Sequence, residues 1–327
     1  MRLNKQYLDD GLNELSKRRE KNQKLEEKRR AEIYEKIPEY EQLEKELADT
    51  MRSAVNSVFD KTAGTDVETE LRKNRDIQKQ MSGLLEKKGY PADYLDPIYT
   101  CPKCKDKGNT GNEWCECLCR LTNEFAAAAL NENAPLSRSN FRNFDLAHYP
   151  DETDGKTGMS PREMMEKNLE ECKKFAENFS GKGNGILMMG GTGLGKTHLS
   201  LSIANVVIAK GFCVVYVSVP ELIRKINDEQ YERSDDDSLS LATSSDLLIL
   251  DDLGAENNTS YCRSLLYEII NTRQNHNLPT IINTNLSSRE LKEEYQDRLS
   301  SRMISMKTML FCGKDNRVML SENYSGT

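Results

Sequence analysis

The sequence predicts an α/β fold: a parallel five-stranded sheet with helices on both faces, preceded by a helical, zinc-binding N-terminal domain. Three observations predict it. Apolar runs of strand length at 186–189, 212–219, 247–251 and 280–284, with a weaker one at 308–312, alternate with helical stretches. The first hundred residues read instead as long polar helices with narrow apolar stripes. Between these regions, five of the nine cysteines fall within residues 101–119, at the spacing of a metal site. The expected division is an N-terminal domain over 1–130 with its cysteine site at about 99–120, a linker over 131–160, and the α/β domain over 161–327.

Composition sets outer bounds. A chain of 327 residues holds roughly two domains. Hydrophobic content is 37% and charged content 30%, low and high for one compact globule. A formal net charge of −7 excludes a polybasic nucleic-acid binder as a whole, so any such contact must be local. No apolar run approaches the length of a membrane span and no N-terminal segment reads as a signal peptide. The expected location is therefore the cytoplasm, without a membrane partner.

In chain order, Leu8, Leu12 and Leu15 form one helical stripe, and Leu43, Leu47, Met51 and Val55 a second. Pro38 breaks or restarts the helix. Val67, Leu71, Met81, Leu84 and Leu85 mark a further helix that Gly89 and Pro91 stop. Such stripes in a charged surround fit a solvated helical bundle or a partner-docking module.

Cys101-Pro102-Lys103-Cys104 is followed, after a polar loop, by Cys115-Glu116-Cys117-Leu118-Cys119. A C-x-x-C knuckle with a second close pair is the spacing of a structural Zn²⁺ site, closed by four thiolates with no open position. Cys101, Cys104, Cys115 and Cys117 are the expected ligands, with Cys119 a spare that could displace either of the last two. Lys103, Lys105 and Lys107 would offset the charge of the thiolates. Free thiols or a redox pair are the alternative. Cys172, Cys213, Cys262 and Cys312 sit in apolar contexts that suit core packing.

Residues 131–154 are polar and contain Pro135 and Pro150, hence the linker. Ser160 and Pro161 are an N-cap and first residue for a helix reaching about Phe179. The strand Ile186–Met189 then leads into Gly190-Gly191-Thr192-Gly193-Leu194-Gly195-Lys196-Thr197, which reads G-x-x-x-x-G-K-T. Glycines let backbone N–H groups close on a triphosphate, and the N-terminus of the following helix, which opens at His198, adds its partial positive charge. Lys196 would reach the β- and γ-phosphates, and Thr197 would ligate Mg²⁺. The run 246–254 ends in Asp251 and Asp252. On the strand beside the P-loop, Asp251 would hold Mg²⁺ through water and Asp252 would orient the attacking water. Thr280–Asn285 ends in amides, of which Asn285, with Asn283 second, would reach the γ-phosphate or that water. Gln230–Ser245 is acidic, a loop or a short irregular helix. Arg298 and Arg302 share a helix face, and Arg317 could contact phosphate within its own subunit.

Together, GGTGLGKTHLS, LLILDDLGAE, TIINTNLS, DRLSSRM and FCGKDNR resemble the AAA+ ATPases of the DnaC/DnaI type, the bacterial replicative-helicase loaders, and their transposition relatives, the IstB-type helper ATPases. The cysteine segment is similar to the zinc-bearing N-terminal domain of DnaI-type loaders. The resemblance implies an AAA+ core that binds ATP, with Arg302 as arginine finger completing a neighbour's site and Arg317 as sensor-2 arginine. It further implies self-oligomerisation with ATP, a hexameric replicative helicase as partner, and single-stranded DNA as ligand. Hydrolysis would serve as the release switch. Two features depart from the family pattern: Asp252 stands where most AAA+ ATPases have Glu, which implies slow hydrolysis, and the residues after Arg317 are not expected to form a helical lid. Asp235, Asp236 and Asp237 argue against DNA contact by the 230–245 loop. An IstB-like transposition helper is the alternative. A translocating motor or a small-molecule kinase would share the P-loop but explains neither the arginine pair nor the helical N-terminal domain.

Overall fold

The computed structural model describes residues 5–59, 67–111, 113–131, 134, 136, 139–153, 158–232, 237–313 and 315. It forms two compact units: Leu12–Cys117, and Leu118–Thr327 together with the first eleven residues.

The first unit is helical, as expected. It contains most of α1 (Lys5–Lys36), then α2 (Pro38–Phe59) and α3 (Val67–Lys87). Pro38 restarts the helix at a first-turn position, where its missing N–H costs nothing. The core of this unit is Ile33, Ile37, Tyr40, Met81 and Leu85, flanked by Leu43, Leu47 and Leu84. The apolar stripes are thus only partly used: Met51 is 56% and Leu71 43% exposed. Tyr90 and Tyr94 close the cluster, and both hydroxyls donate to Glu32. Lys36, then the two tyrosines, hold the Glu32 carboxyl down to about 2. A short antiparallel ribbon, β1 (Asn109–Thr110) with β2 (Glu113–Trp114), separates the two cysteine groups. Helix α4 (Glu116–Leu130) follows.

The second unit holds the sheet. Its strands are β3 (Ile186–Met189), β4 (Val214–Ser218), β5 (Leu247–Leu253), β6 (Thr280–Thr284) and β7 (Lys307–Leu310). They run parallel, as the alternation of five apolar runs with helices predicts, and pair in the order β4-β5-β6-β3-β7. Period-two alternation divides the side chains between two layers. Leu187, Met189, Leu248, Leu250 and Ile282 pack with α7 (Val219–Glu232), α8 (Ser238–Ser244), α9 (Ser260–Asn275) and α10 (Ser288–Ile304). Ile186, Met188, Leu247, Ile249 and Ile281 pack with α5 (Pro161–Glu177) and α6 (Lys196–Ala209). Ser160 caps α5 in a reciprocal box with Glu163.

Cys172, Cys213 and Cys262 are buried here, as expected of core packing. Burial pushes the Cys172 and Cys213 thiols up to about 12, which leaves them unreactive. Arg273 is wholly buried and spends its donors on Thr280 Oγ1 and the carbonyls of Ala242, Ser245 and Pro279, tying α9 to α8 and to the start of β6. In the acidic stretch, Asp237 caps α8 by accepting from the Ser240 N–H at 2.8 Å. Asp235 and Asp236 lie outside the described residues.

Candidate functional site

The P-loop connects β3 to α6, so its position at the carboxyl end of the sheet follows from the strand order. Gly190 has φ 152°, and a Cβ there would meet the Phe311 carbonyl oxygen of the β7 exit at 2.3 Å. Gly195, at φ 87°, precedes the first turn of α6 without a side-chain cap, which leaves the helix N–H groups to an anion. Lys196 is buried, and its Nζ donates to Gly190 O (2.6 Å), Gly191 O (2.7 Å) and Asn285 Oδ1 (2.7 Å). The lysine and the amide at the end of β6 therefore meet at one point.

Asp251 is 3% exposed and is oriented by several donors. Thr197 Oγ1 lies 3.0 Å from Oδ2, Tyr216 Oη donates to the same oxygen at 2.5 Å, and Asn283 Nδ2 donates to Oδ1 at 2.9 Å. Burial first, and the Asp251 charge second, raise the Tyr216 hydroxyl well above the usual phenol range, so it stays a donor. Asn283 Nδ2 also donates to Ser200 Oγ, while Asn283 Oδ1 is buried without a partner. Turning that amide over would set its oxygen against the Asp251 carboxylate, so repulsion selects the observed orientation. Asp252 takes φ 53° at a bulge, where the β5–β6 register shifts between Leu250 and Leu253. The bulge breaks the alternation and turns Asp252 into the cleft lining beside Asp251. Thr197 and Asp251 suit Mg²⁺: hard oxygen donors, one of them a carboxylate, beside a loop built for phosphate.

The cleft, of about 720 Å³, has room for a nucleotide. One wall is Asn143, Phe144, His148 and Tyr149, from the stretch that composition assigns to a linker. Phe144 lies 5.8 Å from the Tyr149 ring and 5.5 Å from the His198 ring. Tyr149 Oη donates to Leu194 O at 3.0 Å, and His198 Nε2 lies 3.0 Å from Asn140 O. The residues Gly190–His198, Asp251, Asp252 and Asn285 are thus brought together. Asn283 sits behind Asp251 rather than in the cleft. Sequence reasoning missed Phe144, Tyr149 and Tyr216; the aromatics of 141–149, rare in so polar a stretch, were the available signal.

Arg302 does not line the cleft. Its Nη1 donates to Gln274 Oε1 at 3.1 Å and its guanidinium lies 5.3 Å from the Tyr267 ring centre. Arg298 is exposed on the same stretch of α10, beyond a kink at Gln296 (φ 59°). Arg317 lies outside the described residues; Asp315 packs its carboxylate against Gly193.

In the first unit, Cys101, Cys104, Cys115 and Cys117 bring their four Sγ atoms within 4.8 Å of one another, and Cys119 is not among them. Sulfurs 2.3 Å from a tetrahedral Zn²⁺ stand about 3.8 Å apart. The pairs Cys101–Cys115 at 3.8 Å and Cys104–Cys117 at 3.4 Å suit that spacing. The Cys104 N–H pulls the Cys101 thiol down to about 7, whereas burial raises Cys117. The knuckle is braced by Asp106, wholly buried, which accepts from the Thr100 and Cys101 N–H groups (2.8 and 2.7 Å) and from Asn22 of α1 (3.2 Å).

Residues 160–306 match the family model described as IstB-like ATP binding protein. This stretch is similar to IstB-like ATP-binding proteins. The matched stretch contains the P-loop, both acids and Asn285. The replicative helicase loader DnaI of Bacillus subtilis (strain 168) is 33% identical over 119 residues, 36% of this chain and 38% of that protein. The replicative helicase loader DnaC of Escherichia coli (strain K12) is 25% identical over 137 residues, 41% of this chain and 56% of its own length. The chain thus spans less than two thirds of either relative. A crystal structure of the DnaC helicase loader aligns with 53% of this chain and 98% of its own, at 26% identity and a TM-score of 0.44. The resemblance to loaders of the DnaC/DnaI type holds. No helix among the described residues is long and apolar enough to cross a membrane.

Proposed function

We propose that this protein is an ATP-dependent loader of a replicative DNA helicase onto single-stranded DNA, with ATP binding and slow hydrolysis as its assembly and release switch. The observation that carries the proposal is a cleft lined by a P-loop, paired acids and Asn285, in a stretch whose relatives are named helicase loaders. In this reading the α6 N–H groups and Lys196 bind the phosphates, and Thr197 and Asp251 hold Mg²⁺, which neutralises phosphate charge. Phe144 and Tyr149 border the base. Asn285 and Asp252 aim water at the γ-phosphate; the shorter Asp252 side chain reaches less far than Glu and slows the step. Arg302 reaches the site of a neighbouring subunit, and Arg317 contacts phosphate in its own. Zn²⁺ on the four cysteines staples a segment too small for a core of its own, and the unit Leu12–Cys117 docks on the helicase.

The experiment is capture of the host's replicative helicase from a cytoplasmic extract by the full chain, with and without ATP, followed by helicase loading on a single-stranded circle. ATP-dependent capture and loading are expected. The IstB-like family match favours one second reading, a helper ATPase for transposition. Capture of a transposase, with no helicase bound, would select it.

A further inference from the structure

Strand β4 is an edge of the sheet, so among the described residues no strand pairs with one side of its backbone. Asn131, directly after α4, closes that side at one place. Its Nδ2 donates to Val214 O at 2.7 Å and its Oδ1 accepts from the Tyr216 N–H at 2.8 Å. Its own N–H donates to Ala127 O at 2.9 Å, which fixes the clamp to the last turn of the helix. The amide thus replaces two ladder bonds and fixes the backbone of Tyr216. The tyrosine ring packs on the α5–α6 side of the sheet, the side to which β5 turns Ile249. From there its hydroxyl crosses from β4 to Asp251 Oδ2. In the paired register Tyr216 faces Ile249 and Ser218 faces Asp251, so Tyr216 and Asp251 are diagonal neighbours on one face. Asn283 holds the other carboxylate oxygen from β6. Both oxygens are therefore aimed by groups that a bound nucleotide need not touch.

We propose that Tyr216, clamped by Asn131, is a positioning residue for the magnesium carboxylate Asp251, so that the end of α4 acts on the nucleotide site through the edge strand. The proposal rests on the ATP–Mg²⁺ reading above. Hydrogen bonds to a metal-holding carboxylate fix its orientation, and their loss lowers metal affinity. Displacing the end of α4, the helix that follows the cysteine cluster in the chain, would disturb Asp251 without touching the P-loop.

The test is binding of a fluorescent adenine nucleotide to the full chain across a Mg²⁺ titration, with a parallel measurement in EDTA. In Tyr216→Phe, which keeps the ring, the Mg²⁺ midpoint should rise by about tenfold while affinity in EDTA stays within about twofold of the original chain. Asn131→Ala should move the midpoint the same way. An unmoved midpoint in Tyr216→Phe, or an equal loss with and without Mg²⁺, overturns the proposal, the latter by making Tyr216 only a wall of the cleft. An unmoved midpoint in a folded Asn131→Ala chain overturns the link to α4. If the unaltered chain binds no adenine nucleotide, the ATP reading itself falls, and this one with it.

Discussion

Asp251 accepts from Thr197, Tyr216 and Asn283, side chains drawn from α6, β4 and β6, and no one of those contacts is local in sequence. Lys196 is the reverse case: its loop partners Gly190 and Gly191 belong to the motif itself, and Asn285 joins them from the end of β6. A P-loop lysine pairs with the β- and γ-phosphates, so Lys196→Ala should lower nucleotide affinity about a hundredfold, by fluorescence titration, with the thermal midpoint little changed. Gly190 makes a prediction about stability. Its Cβ would sit 2.3 Å from a backbone oxygen that cannot swing away, at a φ closed to other residues. Gly190→Ala should cost about 1–3 kcal/mol in urea unfolding and abolish nucleotide binding as the loop shifts. A neutral effect would mean that the loop and the β7 exit are not in contact. The clustering of the P-loop, Asp251 and Asn285 was legible in the sequence because each stands at the end of an apolar strand. Tyr216 was not, since nothing in Val214–Ser218 marks one side chain of an ordinary strand as reaching across to its neighbour.

The knuckle and α10 show how elements carry chemistry between them. Asp106 joins the knuckle to α1 through Asn22 and braces it through two backbone N–H groups. Purified protein should therefore contain about one Zn²⁺ per chain. Cys104→Ser should lose the metal and lower the thermal midpoint, read by elemental analysis and by circular dichroism. A folded, metal-free preparation would remove zinc from the account. Helix α10 is stitched to the segment after the acids: Tyr295 donates to Glu256, whose other oxygen accepts from the Gly254 N–H, and Asn258 donates to Glu294. The kink at Gln296 follows at once, and then the two arginines. Arg302→Ala should leave ATP affinity unchanged and lower turnover at least tenfold, but only at concentrations where chains assemble. Loss of binding by dilute protein would instead place Arg302 in its own subunit's site. The helix and its charged character were readable from sequence; the kink was not, because no proline or glycine marks it.

Across the whole chain the composition separates two physical regimes. Leu12–Cys117 has a small core and relies on hydrogen bonds such as those of Glu32, whereas the second unit buries both faces of its sheet. ATP should therefore raise the thermal midpoint of the second unit through mass action, by an amount that grows with nucleotide concentration, while chelators act on the first. Differential scanning of the full chain with each additive checks this; a single transition moved equally by both would mean the two units unfold as one.

The sequence by itself determined the five strands, their alternation with helices, the phosphate loop, the acids and the four clustered cysteines. Each depends on residues close together in the chain, where periodicity and spacing are direct readings of geometry. Tertiary structure decided that Phe144 and Tyr149 wall the cleft, that Tyr216 and Asn283 aim Asp251, and that Asn131 clamps an edge strand. Those contacts join residues distant in the chain that meet only when parallel strands pair. The strand order β4-β5-β6-β3-β7, which no local pattern encodes, selects which side chains become neighbours.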